Sequence, residues 1–111
     1  MLPRANRLTD GAEYKAVVRR GARCSGPHAI TYVVAPAQSG ATRFGFIVSK
    51  QVGGAVVRNT VRRRLKAICA QEMPRVAAGS RIVIRALPAA ASADFGVLRA
   101  EIGRCLERRA A

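Results

Sequence analysis

Acidic residues are scarce in this chain. Six Asp and Glu stand against 20 Lys and Arg, a formal net charge of +14 over 111 residues. The six carboxylates, Asp10, Glu13, Glu72, Asp94, Glu101 and Glu107, are scattered, whereas a two-metal nuclease needs several of them converging on the ions. There is a single histidine, His28, set between Pro27 and Ala29. No sequence neighbour could orient it as a base, so it reads as a surface or structural residue. The three cysteines, Cys24, Cys69 and Cys105, form no C-x-x-C pair. Closely spaced zinc ligands are therefore excluded, and the cysteines read as separate small thiols, buried or half-buried. No apolar run approaches the roughly 18 residues that would span a bilayer. The N-terminus lacks the apolar core of a signal peptide, so a cytoplasmic location is expected. No catalytic or metal-ligating residue is assigned.

What the chain does have is positive charge on an otherwise ordinary globular composition. Half of its residues are hydrophobic, enough for one domain with one modest core. A large net positive charge is self-repelling unless a polyanion is the usual partner. Residues 55–72 show how that partner is met. At about 100° per residue, Arg58, Arg62, Lys66, Asn59 and Arg63 fall between roughly 0° and 140°, and Val57, Val61, Leu65, Ile68 and Glu72 between roughly 260° and 340°. Cations and aliphatics separate onto different faces of one helix. Such a helix is bolted to a core while it presents guanidinium forks to phosphates. Exposed helices usually intersperse both charge signs, and Glu72 is the only acid near this one. RNA or DNA binding follows. An anionic membrane surface also fits the charge, but it fits the β content poorly. Gly53-Gly54 ahead of the helix reads equally as a simple turn or as free N–H groups offered to a phosphate.

The remaining chain divides by periodicity and breakers. Residues 2–7 read as an extended basic arm. Thr9 or Asp10 caps a helix that runs to about Arg20, with Tyr14, Val17 and Val18 on its apolar face, Asp10 and Glu13 at its positive end, and Gly21 as its stop. A weak strand near 22–24 precedes a strand over 29–35, in which Ile30, Tyr32 and Val34 share a face. A turn-rich connection at 36–40 leads to a strand over 43–50 with Phe44, Phe46 and Val48 on one face. After the basic helix, Pro74 is a stop and 80–87 is a short apolar strand. A helix over about 92–109 carries Phe95, Leu98, Ile102, Cys105 and Leu106 at helical spacing. The order α-β-β-β-α-β-α without repeats predicts a single α/β (α+β sandwich) domain over 1–111.

Phe46-Ile-Val-Ser-Lys50, Val52-Gly53, Ala55-Val-Val-Arg-Asn59, Arg62-Arg63 and Leu65-Lys66 together resemble the signature of the bacterial ribonuclease P protein subunit. Leu2-Pro3, Arg7-Leu8, Tyr14 and Gly21 match in spacing, as do Ile82-Val-Ile84 and the terminal amphipathic helix, so the resemblance covers nearly the whole chain. Gln51, Thr60, Arg81 and Val18 depart from the usual residues. The resemblance implies a left-handed β-α-β crossover, similar to domain 2 of ribosomal protein S5. It also implies a protein subunit, monomeric within a ribonucleoprotein, that binds a catalytic RNA subunit and precursor tRNA. The RNA would carry the Mg-dependent removal of the 5′ leader. By the same resemblance Lys50, Arg58, Asn59, Arg62, Arg63 and Lys66 face the RNA subunit, and Tyr14, Val18 and Tyr32 line a cleft for the single-stranded leader. Aromatic faces suit unpaired bases; ordinary core packing is the other reading of the tyrosines. A ribosomal or chaperone-type RNA-binding module is the alternative function.

Overall fold

The computed structural model describes residues 2–35 and 40–110. Its elements follow the predicted order: α1 Gly11–Arg20, β1 Ala22–Ser25, β2 Ala29–Val34, β3 Arg43–Ile47, α2 Ala55–Glu72, β4 Arg81–Ala86 and α3 Phe95–Ala110. The turn expected over 36–40 lies, for 36–39, outside the described residues.

The four strands form one sheet in the order β1-β2-β4-β3. β1 and β2 pair antiparallel, β2 and β4 antiparallel, and β3 and β4 parallel. The β3–α2–β4 unit is therefore a crossover between adjacent parallel strands, which needs a helix-length connection. Period-two alternation sends the two sides of each strand to different partners. Ala29, Val33, Phe44, Ile82 and Ile84 join Val61, Leu65 and Ile68 of α2 and Leu98, Ile102 and Leu106 of α3 in the main core. Ile30, Tyr32 and Val83 meet Leu8 and Val17 on the opposite face, beneath α1. One short helix cannot cover that whole face, and Val34, Ile47 and Arg85 remain half-buried there.

Four local expectations are corrected. The first residues are not a free arm: Leu2 is fully buried, Arg4–Asn6 form a 3₁₀ turn, and Arg7 bridges to Phe44 at the outer edge of β3. β3 stops at Ile47 rather than continuing to 50, because its partner β4 ends at Ala86 before the Pro88–Ser92 3₁₀ turn. That same turn takes up the alanine run and delays α3 to Phe95. Gly21 ends α1 as expected, with extended dihedrals (φ −70°, ψ 149°). Glycine is required there because a Cβ would sit 2.5 Å from the Val17 carbonyl oxygen.

The thiols are the fourth correction. Cys24 of β1 and Cys105 of α3 form a disulfide, with Cα atoms 5.6 Å apart and 81 residues between them in sequence. Only Cys69 is free, fully buried in the core. Burial, with Glu72 adding to it, pushes the Cys69 thiol pKa up. Spacing along the chain could not reveal the disulfide, because the packing of β1 against α3 creates the proximity. His28 likewise gains a partner 73 residues away: its Nδ1 lies 2.8 Å from Glu101 Oε1. The 5 % exposed Glu101 also accepts from the backbone N–H groups of His28 (3.1 Å) and Ala29 (2.9 Å).

Candidate nucleic-acid interface

The basic helix occupies the span the periodicity predicts, Ala55–Glu72. Val61, Leu65, Ile68 and Glu72 of its apolar stripe are buried, and Val57, one turn from the start, is 38 % exposed. Glu72 is buried as part of that stripe. Its oxygens lie 3.7 Å from Arg99 Nε and 3.9 Å from Arg75, so it is occupied within the fold and not on the cationic face. Gly53 enters the helix at φ +156°, and a Cβ there would come within 2.9 Å of the Val57 side chain. The N-cap, Gly54, supplies no side-chain bond to the first turn.

On the opposite face the side chains are loosely tethered to their own helix. Arg62 donates to Asn59 Oδ1 (3.2 Å) and reaches the Val48 carbonyl (3.5 Å). Arg63 donates to Thr60 Oγ1 (3.3 Å), and that hydroxyl donates to the Val56 carbonyl (3.0 Å). Thr60, a departure from the family pattern, thus steadies Arg63. Arg58 is half-buried, and its buried Nε has no hydrogen-bond partner. Among the described residues, none of Lys50, Arg58, Arg62, Arg63 and Lys66 pairs with a carboxylate. Arg64, in the same run, turns inward and donates to the Ala93 carbonyl (3.2 Å); it is spent on the fold.

The second part of the site is a groove on the α1 face of the sheet. A hollow of about 460 Å³ is lined by Tyr14, Lys15, Val18, Arg19, Ile47 and Arg85. A neighbour of about 430 Å³ is lined by Ile47, Ser49, Lys50, Gln51, Arg85 and Leu87, among others. They share Ile47 and Arg85, so they join into one trough that leads from α1 to Lys50, just before the basic helix. No carboxylate lines either hollow. The carboxylate expected to serve only the α1 dipole, Glu13, reaches instead to Arg81 (3.3 Å) and Arg43 (3.7 Å), across the start of β3 and β4. This gives the unusual Arg81 its role. Asp10 is the N-cap, accepting from the Ala12 amide at 2.9 Å.

The structure places the three expected cleft residues differently. Tyr14 and Val18 line the trough. Tyr14 is also fixed to the sheet: its hydroxyl accepts from Phe46 N (3.1 Å) and donates to the Leu8 carbonyl (3.3 Å). Its ring lies where a Cβ on Gly45 would stand, 2.6 Å away. Tyr32 is only 6 % exposed, and the Arg85 guanidinium carbon lies 5.8 Å from its ring centroid, a cation–π distance. Tyr32 therefore supports Arg85, and Arg85 forms the trough wall. Sequence reasoning passed over Lys15, Arg19 and Arg85. The available signal for Arg85 was a cation set inside an apolar strand, between Ile84 and Ala86 and on the same period-two face as Val83 and Leu87.

Comparison with known proteins places these features in a lineage. The profile of the Ribonuclease P family matches residues 2–110. The chain is similar to the ribonuclease P protein component of Clavibacter michiganensis, 45 % identical over 97 % of this chain and 96 % of the relative. It is similar also to that of Acidothermus cellulolyticus, 46 % identical over 97 % of this chain and 91 % of the relative. In fold it resembles the RNase P protein of Staphylococcus aureus, with a TM-score of 0.83 at 19 % identity, covering 95 % of each chain. The corresponding protein from Thermotoga maritima superposes with a TM-score of 0.82 at 18 % identity, over 95 % of this chain and 98 % of the other.

Proposed function

The chain belongs to the ribonuclease P protein family, and from that premise we propose that it binds the catalytic RNA subunit through α2 and the 5′ leader of precursor tRNA through the trough. The observation that carries this reading is the continuity of the two surfaces. A row of cations with no carboxylate partners runs into an acid-free trough through Lys50. Phosphates of a folded RNA suit the guanidinium forks of half-buried Arg62 and exposed Arg63. An unpaired strand suits a trough with Tyr14 and a supported guanidinium, since stacking on either is tolerant of sequence.

The chemistry is assigned to the RNA. Among the described residues no three His, Cys, Asp or Glu side chains converge as a metal site. Asp10, Glu13, Glu72 and Glu101 are engaged within the fold. This donor set does not suit a resident magnesium ion, so the ions are assigned to the RNA subunit and the substrate. The protein contributes affinity: each phosphate it neutralises releases counterions, and less magnesium is then needed to hold the two RNAs together. No helix among the described residues is long and apolar enough to cross a membrane, and we place the protein in the cytoplasm.

Reconstitution tests the proposal. Added to the RNA subunit, the protein should lower the magnesium required for precursor-tRNA cleavage, and alone it should cleave nothing. Arg62→Ala with Arg63→Ala should weaken RNA-subunit binding by about 2 kcal/mol or more, since charge-assisted contacts are worth roughly 1.5–3 kcal/mol each. The salt slope should fall as well. No stimulation by the folded wild-type protein would leave the reading of a general RNA-binding module. An unchanged salt slope in the double variant would remove α2 from the interface.

A further inference from the structure

A separate concavity lies between β1 and α3. This hollow, of about 480 Å³, is lined by both disulfide cysteines, by Ser25 of β1, and by Arg104 and Arg108 of α3, among others. It shares no lining residue with the leader trough. Cys24 is half-buried, whereas Cys105 is 4 % exposed. Cys24 is thus the more accessible of the two cysteines to a molecule in the hollow. Arg104 and Arg108 are exposed and have no carboxylate partner among the described residues. Arg23, beside Cys24, donates to Ser25 Oγ at 3.3 Å and adds a third cation. Two acids stand against them. Glu107 is exposed in the lining, and Glu101 is turned into its bonds with His28 and the backbone.

The bond is not the sole tie between these elements. β1 is held by its ladder to β2 from Ala22↔Val33 to Ser25↔Ile30. The start of β2 is tied to α3 by the Glu101 hydrogen bonds, and Leu98, Ile102 and Leu106 anchor α3 in the core. A disulfide between elements that have other ties, and whose two cysteines line a hollow among cations, has the setting of an exchangeable bond. Cys69 has the opposite setting, with no exposure.

We propose that the Cys24–Cys105 hollow is a thiol–disulfide exchange site that receives small anionic thiols. The incoming thiolate attacks Cys24 Sγ. The Cys24–Cys105 bond breaks, Cys105 leaves as a thiolate and takes a proton from water, and Cys24 carries a mixed disulfide. A second molecule of the same thiol then attacks the small-thiol sulfur of that mixed disulfide. This releases Cys24 as a thiolate, which is protonated in turn, and one molecule of the small disulfide. Two thiols are oxidised and one protein disulfide is reduced.

The test uses the native full-length protein, with glutathione as the anionic probe and cysteamine as the cationic one, compared at equal thiolate concentration. Free cysteines are alkylated and located by peptide mass spectrometry. Glutathione should open the bond faster by on the order of fivefold, the factor given by one charge pair at contact in a high dielectric. The mixed disulfide should appear on Cys24, Cys69 should stay unlabelled, and circular dichroism should remain native. The preference should shrink at high salt and fall to the remainder carried by Arg23 in Arg104→Gln with Arg108→Gln. If the double substitution misfolds, Arg108→Gln alone, at an exposed position, should still reduce it, and a preference unchanged by that variant overturns the proposal. The proposal is overturned by labelling of Cys69 in step with the other two, by equal rates for the two probes, by a mixed disulfide on Cys105, or by air-oxidised protein without the bond.

Discussion

Tyr14 performs two tasks that different substitutions separate. Its hydroxyl closes the outer edge of β3 by accepting from Phe46 N and donating to the Leu8 carbonyl, while its ring faces the trough. Tyr14→Phe removes the hydroxyl alone and leaves a half-buried amide and a carbonyl without partners. An unsatisfied group of this kind costs about 1–3 kcal/mol, and partial access to water at this edge sets the expectation at about 1–2 kcal/mol. For a domain of roughly 100 residues, each kcal/mol lowers Tm by about 4–8 °C, so the variant should melt about 4–16 °C below wild type. The π face remains, so holoenzyme carrying Tyr14→Phe should discriminate precursor from mature tRNA within about twofold of wild type. Tyr14→Ala also removes the ring. It should cost about 3 kcal/mol of stability, the low end for deleting an aromatic side chain, and about 1–3 kcal/mol of precursor affinity for each stacked base lost. Mature tRNA should be unaffected. Melting by circular dichroism and equilibrium binding of the two tRNAs at fixed salt provide the readouts. A Tyr14→Phe variant with wild-type Tm and lost discrimination would refute the reasoning, because the hydroxyl would then act on the leader and not on the strand edge.

Glu101→Ala should destabilise the fold by about 3 kcal/mol or more, since it strips the acceptor from two backbone amides whose loss costs roughly 1–3 kcal/mol each. Glu101→Gln, which keeps one acceptor oxygen, should cost clearly less. Urea midpoints at constant m-value measure both, and a loss below about 1 kcal/mol for the alanine variant would show that the β2–α3 junction is held elsewhere. Cys69 adds an alkaline limit. Its folded pKa lies above the unfolded one, so above about pH 8.5 the unfolded chain has released a proton that the folded chain still binds. Stability is therefore intact below that pH and declines as pH rises, by at most about 1.4 kcal/mol per pH unit. Urea unfolding between neutral and alkaline pH should show this slope in wild type and a shallower one in Cys69→Ala; identical slopes would assign the alkaline loss to other groups.

What was legible in the chain is what local periodicity encodes. The bounds of the basic helix, its two faces, a cap at Thr9 or Asp10 and the α-β-β-β-α-β-α order all follow from spacings of four residues or fewer, and the structure places the cap at Asp10. Of the residues expected to face RNA, Arg58, Asn59, Arg62, Arg63 and Lys66 belong to α2 and Lys50 precedes it in the lining of the trough, and Tyr14 and Val18 line the trough as well. Contacts closed by topology were not legible. Cys24 meets Cys105 and His28 meets Glu101 only because β1 and the start of β2 pack against α3. The Arg85–Tyr32 pair depends on the β2–β4 register, in which Arg85 stands opposite Ile30 and Tyr32 opposite Val83. That register places Arg85 diagonally beside Tyr32 on one face, a distance long side chains span. Residues 48–50 read as strand because their composition suits one, but in the β3–β4 register only Val48 would fall opposite a β4 residue, Ala86, and 49 and 50 lie beyond its end.

The strand order β1-β2-β4-β3 has a consequence for how the protein is made. The last strand synthesised occupies an interior position, and β2 and β3, neighbours in the chain, are joined only through it. The β1–β2 ladder can form as soon as residue 34 has emerged. β3 has no strand partner until residues 81–86 arrive, and by then the whole basic helix is already outside the ribosome. For that interval α2 is an amphipathic segment with its charge exposed and no core to receive Val61, Leu65 and Ile68. Non-local pairing of this kind folds late and leaves strand edges open meanwhile. A chain interrupted between α2 and β4 retains the arginines of the helix but lacks the strand that joins β3 to the β1–β2 pair.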